Sequence, residues 1–326
     1  QAMSILVSEQ VHETLQSGAP IVALETAVLT SGLPRCIWND SFGACPSQIE
    51  STQPINWALA KAMTAAVEQN GATPVWIGML NGIFIIGMNQ EELLELSTDE
   101  TATKVSLATF AKAMHEEKTA GTTVAATLLG CKLANPERPI RVFATGGIGG
   151  VHKNWSTQLD VSADLTALAT TPTCVVASGA KSILDVHATV EALETIGVPV
   201  LGMGSDRFPP FIERFNSADP IISNVSSIHE LAEICKIHWN LLKLPSAILA
   251  GIPVPDNAAL ERGSLAEALQ KAEQSWFEKN MPSTTRTPYL LGALAEITQG
   301  ASLIANLELL CNNAKIAGKL AVSLSD

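Results

Sequence analysis

Apolar positions along the 326-residue chain follow two alternating rhythms. Short, almost continuous apolar runs occur at Ile21–Leu24, Pro74–Ile77, Arg141–Ala144, Cys174–Ala177, Pro199–Gly202 and Ala247–Ala250. Runs this brief, rich in Val and Ile, predict strands buried on both faces. Between them the apolar residues recur at helical spacing, as at Trp57, Ala60, Met63 and Val67. Such stripes predict helices over 57–69, 122–134, 181–196 and 228–242. Asn81-Gly82, set between two apolar runs, predicts a hairpin, because both residues accept the positive φ of a tight turn. Strand–helix alternation predicts an α/β fold of three layers, α/β/α, around a mostly parallel central sheet. After residue 255 the pattern turns helical over 257–278, 287–298 and 301–322, with no linker before it. The span 1–326 therefore reads as a single domain whose helical C-terminal region packs on the sheet.

Residues 35–52 fit neither rhythm. They interrupt a strand-to-helix connection that in α/β units usually takes about 2–6 residues. They are expected to form a mobile insertion.

Composition narrows the function. With 47% hydrophobic and 16% charged residues, the chain can bury a large core. The densest apolar stretch, Gly78–Gly87, is far short of the ~20 residues of a membrane span. A net charge of −12 repels a nucleic-acid backbone, so any phosphate on a substrate must meet a local positive charge. The six cysteines (Cys36, Cys45, Cys131, Cys174, Cys235 and Cys311) show no CxxC pair and no zinc spacing. Together with an N-terminus lacking a signal-peptide pattern, they suggest a cytoplasmic protein.

Four segments at strand ends or helix starts combine small residues with a reactive group. In Ala23-Leu24-Glu25-Thr26-Ala27 a carboxylate follows a buried strand directly. Desolvation there would raise its pKa and suit it to donate a proton, although capping or pairing with a lysine is as simple a role. The Ala120–Thr127 stretch opens a helix with hydroxyls and small residues, leaving amides for an anion unless Thr122 or Thr123 merely caps the helix. The glycine-rich run Ala144–His152 permits close backbone approach but misses the dinucleotide spacing, whose third glycine position falls on His152. It leads into Asp160 and Asp164, four apart; if helical they share a face and suit Mg²⁺ or Mn²⁺, unless Asp160 or Ser162 caps the helix. In Cys174–Asp185, Lys181 stands between a buried strand and an apolar stretch. Burial would give it the neutral amine that attacks carbon; snorkelling to solvent or pairing with Asp185 are the alternatives.

At these residues the chain resembles the pseudouridine-5'-phosphate glycosidases, which include the indigoidine synthase A-like proteins. The blocks, in chain order, are ALET, NGATP, TTVAAT, ATGGIGGVH, DVSADL, SGAKSILD, LETIGVPV, TPYLLGALAEIT and NLELLCNNA. The resemblance covers nearly everything except the first residues and 35–52. It implies an α/β/α homotrimer with one Mn²⁺ per subunit that interconverts pseudouridine 5'-phosphate and water with uracil and ribose 5-phosphate through a lysine imine. It implies Glu25 as proton donor, Lys181 as nucleophile and Asp160 at the metal. Lys104, Thr123, Val124, Ser162, Ala163, Asp164 and Asn306 are implied at the substrate. Two departures stand out: Thr30-Ser31-Gly32 replaces the family's Ser-His-Gly, and Ala120-Gly121 inverts its Gly-Ala. They leave open a non-catalytic relative that binds sugar phosphates, or an imine-forming lyase acting on a different sugar phosphate.

Overall fold

The computed structural model describes residues 4–325 apart from 154, 157–158, 280, 282–285 and 299. Each predicted strand is present: β2 (Ile21–Glu25), β3 (Thr73–Leu80), β7 (Val142–Ala144), β8 (Cys174–Ala177), β9 (Val200–Met203) and β11 (Ile248–Gly251). The hairpin also forms. Asn81 and Gly82 both take positive φ (49° and 76°) and return β3 into β4 (Ile83–Ile86). Four three-residue strands complete the sheet: β1 (Ile5–Val7), β5 (Thr103–Val105), β6 (Ala120–Thr122) and β10 (Ser223–Val225).

The strands lie in the order β1-β4-β3-β2-β7-β8-β11-β9-β10, with β6 on β3 and β5 on β6. Among the described strands only the β3–β4 and β3–β6 pairs are antiparallel. The two middle strands β2 and β7 are buried at every position, as continuous apolar runs require. Helices cover both faces. α2 (Ile55–Glu68) packs against the last helix, α11 (Ala301–Ser325), while α5 (Val124–Ala134) packs on β2, β3 and α6 (Ala163–Thr170). Gly130 allows α5 to approach the sheet: a Cβ there would stand 2.9 Å from Ile77 Cγ2. Fully buried Leu24, Met63, Phe84 and Phe143 each contribute about 1.5–3 kcal/mol by leaving water. No helix among the described residues is long and apolar enough to cross a membrane.

Four readings need correction. The helix expected over 181–196 is α7 (Val186–Thr195), so Lys181 stands in an irregular turn ahead of it. Asp185 is the N-cap of α7, accepting the Ala188 N–H at 3.0 Å, rather than a partner for Lys181. The helix expected over 257–278 is α9 (Ala266–Glu278) alone, because Arg262 and the Gly263 amide are drawn to buried Glu213. The stretch 35–52, expected to be mobile, is instead packed on α11. Ile49 is buried, Gln48 donates to Glu308 at 2.7 Å, and the Phe42 backbone lies against Gly300.

Candidate active site

Three neighbouring parallel strands, β2, β7 and β8, end on the same edge of the sheet, where ligands collect in open α/β folds. Glu25 is the last residue of β2. Beyond β7 and β8 the two loops stay paired: Ser178 N–H donates to Gly146 at 2.8 Å, Ile148 to Gly179 at 3.0 Å and Lys181 to Ile148 at 3.2 Å. This ladder carries Lys181 outward beside the glycine-rich loop. Gly179 is obligatory in it, since φ is +74° and a Cβ would lie 1.9 Å from the Pro209 carbonyl oxygen.

Above these ends lies a cavity of about 750 Å³ whose walls include Glu25, Lys104, His152, Asp164, Lys181 and Asn306. Thr123 and Ser162 also reach it, as do Ser31 and Gly32. None of residues 33–54 forms its wall, so the 35–52 stretch does not plug it. Val124 and Ala163 are not among the wall residues; they open α5 and α6 beside it.

Burial pushes the Glu25 carboxyl up from its ordinary range; the charges of Lys181 and Lys104 and a hydrogen bond from Thr145 counteract this, while Asp164 adds to it. At 5% exposure the acid is held toward its protonated form. The Thr145 hydroxyl donates to Glu25 Oε1, which leaves Oε2 as the oxygen to carry the proton. Thr145 is in turn fixed by α11, where buried Asn313 donates to its carbonyl at 2.9 Å. Burial, together with the like charge of Lys181, pushes the Lys104 ammonium down, and Asp164 and Glu25 oppose this.

Asp164 overturns one sequence reading. It does not share a helical face with Asp160, because α6 begins only at Ala163, with Ser162 as its N-cap. Its Oδ1 accepts the Ala125 N–H at 2.9 Å and its Oδ2 the Gly149 N–H at 2.7 Å. The anion at the start of α5 is thus the chain's own carboxylate. The glycines of the 146–150 run likewise make room for the chain itself. A Cβ at Gly149 would meet Ser162 Oγ at 2.3 Å, and one at Gly150 would meet Thr189 Oγ1 at 2.4 Å.

Asp160 lies outside the cavity wall. Its Oδ2 accepts from Arg286 at 3.0 Å and lies 3.8 Å from His152 Nε2. Burial holds the His152 imidazole on the neutral side, so the guanidinium is the charged partner of Asp160. A divalent ion does not fit this donor set. Each Asp164 oxygen already accepts a backbone N–H, and the Asp160 carboxylate is already paired with the Arg286 guanidinium. An ion about 4 Å from the guanidinium would meet a repulsion of about 8 kcal/mol at an effective dielectric of 20, similar to the attraction of one carboxylate at that range. Among the described residues no cluster of three His, Cys, Asp or Glu side chains could hold a metal. The expected cation site at Asp160 is therefore not supported by the geometry.

Sequence reasoning missed Thr145, Asn313 and Arg286 as parts of the site. Thr145 lay inside a recognised block, but only its bond to Glu25 across 120 positions reveals its role.

The chain is similar to known proteins over nearly its whole length. The family model described as indigoidine synthase A like protein matches residues 48–323. A pseudouridine-5'-phosphate glycosidase of Glaesserella parasuis is 36% identical, with 98% of this chain and 97% of the relative covered. One from Myxococcus xanthus is 37% identical, covering 98% of each. An indigoidine synthase A-like protein of Thermotoga maritima superposes with a TM-score of 0.82 at 31% identity, covering 99% of this chain and 97% of that one. The prealnumycin C-glycosynthase in complex with ribulose 5-phosphate gives 0.82 at 29% identity, covering 100% and 98%. With its fold and its length both matched, the chain belongs to the indigoidine synthase A-like family, whose curated relatives are pseudouridine-5'-phosphate glycosidases.

Proposed function

We propose that this chain cleaves the carbon–carbon glycosidic bond of pseudouridine 5'-phosphate, with water, to uracil and ribose 5-phosphate. The observation that carries the reading is that a buried Glu25, its carboxyl pushed up by burial, and the Lys181 amine share one cavity at the same edge of the sheet. The bond joins C1' to C5 of uracil, so protonating a ring nitrogen cannot release the base. Glu25 Oε2 gives its proton to the ribose ring oxygen, and the C1'–oxygen bond opens with electrons supplied by the conjugated uracil ring. The free-base amine of Lys181 adds to C1'. The adduct's nitrogen gives up a proton and C5 takes one, and the restored nitrogen lone pair then breaks the C1'–C5 bond. Uracil leaves and an imine between Lys181 and ribose 5-phosphate remains, which water hydrolyses.

Lys104 supplies positive charge within an acidic protein, and a substrate anion beside it favours its ammonium form. Thr123, Ser162 and Asn306 offer side-chain hydrogen bonds from the cavity wall, while Val124 and Ala163 set the starts of the helices behind it. The relative with ribulose 5-phosphate bound supports a sugar phosphate as substrate. A homotrimer in the cytoplasm remains part of this reading, to be checked by sedimentation.

The test is chemical trapping. Borohydride added during turnover should reduce the imine and leave ribose phosphate covalently on the chain, and Lys181→Ala should abolish the adduct. An adduct on another lysine, located by peptide mass spectrometry, would remove Lys181 from the mechanism.

A further inference from the structure

We propose that Arg286 is the resident counter-cation of Asp160, and that this chain therefore works without the divalent metal its family resemblance leads one to expect. Arg286 opens α10 (Arg286–Ile297) and is only 5% exposed, although a guanidinium stays charged at any physiological pH. It is held from two sides, by Asp160 at 3.0 Å and by Glu273 of α9 at 2.9 Å. It also lies over the rings of Trp276 and Phe277, at 5.5 and 5.8 Å from their centroids. A buried charge is tolerated only with such pairing, and ring faces add to it. The arrangement is a built cation site whose cation is covalently part of the chain.

Its reach extends to the substrate cavity. The Asp160 carbonyl accepts the His152 N–H at 3.0 Å, the Asp160 carboxylate faces the His152 ring, and His152 forms part of the cavity wall. Arg286 is thus a positioning residue that acts through Asp160 and His152, linking the α9–α10 pair to the site. A bound metal would exchange with solution and respond to chelators. An arginine does neither.

The deciding measurement is uptake of Mn²⁺ by the full chain after EDTA treatment and desalting, followed by the electron paramagnetic resonance signal of the free ion. Equimolar wild type should leave that signal undiminished, and Arg286→Lys should behave the same way. Arg286→Met, shown to be folded by circular dichroism, frees two carboxylates and should bind Mn²⁺ at least about tenfold more tightly than wild type. Uptake of one Mn²⁺ per wild-type chain, lost in Asp160→Asn, overturns the proposal. So does a folded Arg286→Met that still ignores the ion. In the activity arm, which rests on the glycosidase reading, EDTA should leave uracil release unchanged, and a rate that falls with EDTA and returns with Mn²⁺ counts against it. If no uracil is released under any condition, that reading fails while the resonance titration still decides this one.

Discussion

Replacing Asp164 with Asn keeps the shape of the side chain and removes one acceptor and one charge. In the folded protein both carboxylate oxygens accept backbone N–H groups, from Ala125 at 2.9 Å and Gly149 at 2.7 Å, at a residue only 6% exposed. Either amide orientation turns an NH₂ group toward one of those N–H donors. One charge-assisted bond is lost, about 1.5–3 kcal/mol, and a buried N–H is stranded, another 1–3 kcal/mol or so, which overlap to about 3–5 kcal/mol in all. At about 2.1 cal/mol/K of unfolding entropy per residue, 326 residues give about 0.7 kcal/mol/K, so Tm should fall by about 4–7 °C. A second effect is electrostatic. The Asp164 charge raises the pKa of Glu25, so its loss lets the acid ionise at lower pH. Differential scanning calorimetry reads the first effect and the pH profile of uracil release the second, with the alkaline limb expected to move toward acid. A Tm within 1 °C or so of wild type would show that the carboxylate does not bridge the two amides. An alkaline limb that stays in place or moves to higher pH would show that Glu25 is not the acid that Asp164 influences.

Glu25→Gln should reduce kcat far more than it weakens substrate binding, because the amide keeps the hydrogen bond from Thr145 and has no proton to give; an equal loss in both would reduce Glu25 to a positioning role. The same variant should be the more heat-stable at neutral pH. A carboxyl whose folded-state pKa is raised stabilises the fold below its ordinary value near 4.5 and loses that contribution as pH rises through the raised value. The Tm difference should therefore widen from acid to neutral pH, and a constant difference would contradict the shift. Thr145→Val removes a bond that favours the ionised acid, so the alkaline limb of the pH–rate profile should move upward, opposite to its movement in Asp164→Asn; a downward shift would refute the assignment of the limb to Glu25.

The central strands were legible because burial on both faces leaves a continuous apolar run, as in Ile21–Leu24 and Cys174–Ala177. The three-residue strands β1, β5, β6 and β10 carry no such mark, since their pairing depends on partners remote in sequence. The start of α7 was placed five residues early because Ile183 and Leu184 satisfy helical spacing. Those side chains are buried by the neighbouring loop instead, with His152 bridged to Leu184. Glu25 and Lys181 could be placed at the cavity because one ends a buried strand and the other follows a buried strand closely, at the sheet edge where ligands collect. Thr145, Asn313 and Arg286 could not, because a threonine, an asparagine and an arginine acquire their roles only from contacts across 120, 168 and 126 positions.

The helix that closes the site is also the last of the described elements to be synthesised. Asn306 on the cavity wall and Asn313 beneath Thr145 lie two turns apart on α11, so one rigid rod sets both the substrate contact and the seat of the acid. A nascent chain that has already laid down its sheet therefore holds Glu25 and Lys181 in an unfinished pocket. The cavity wall and the support beneath the Glu25 partner are complete only once this segment has been translated.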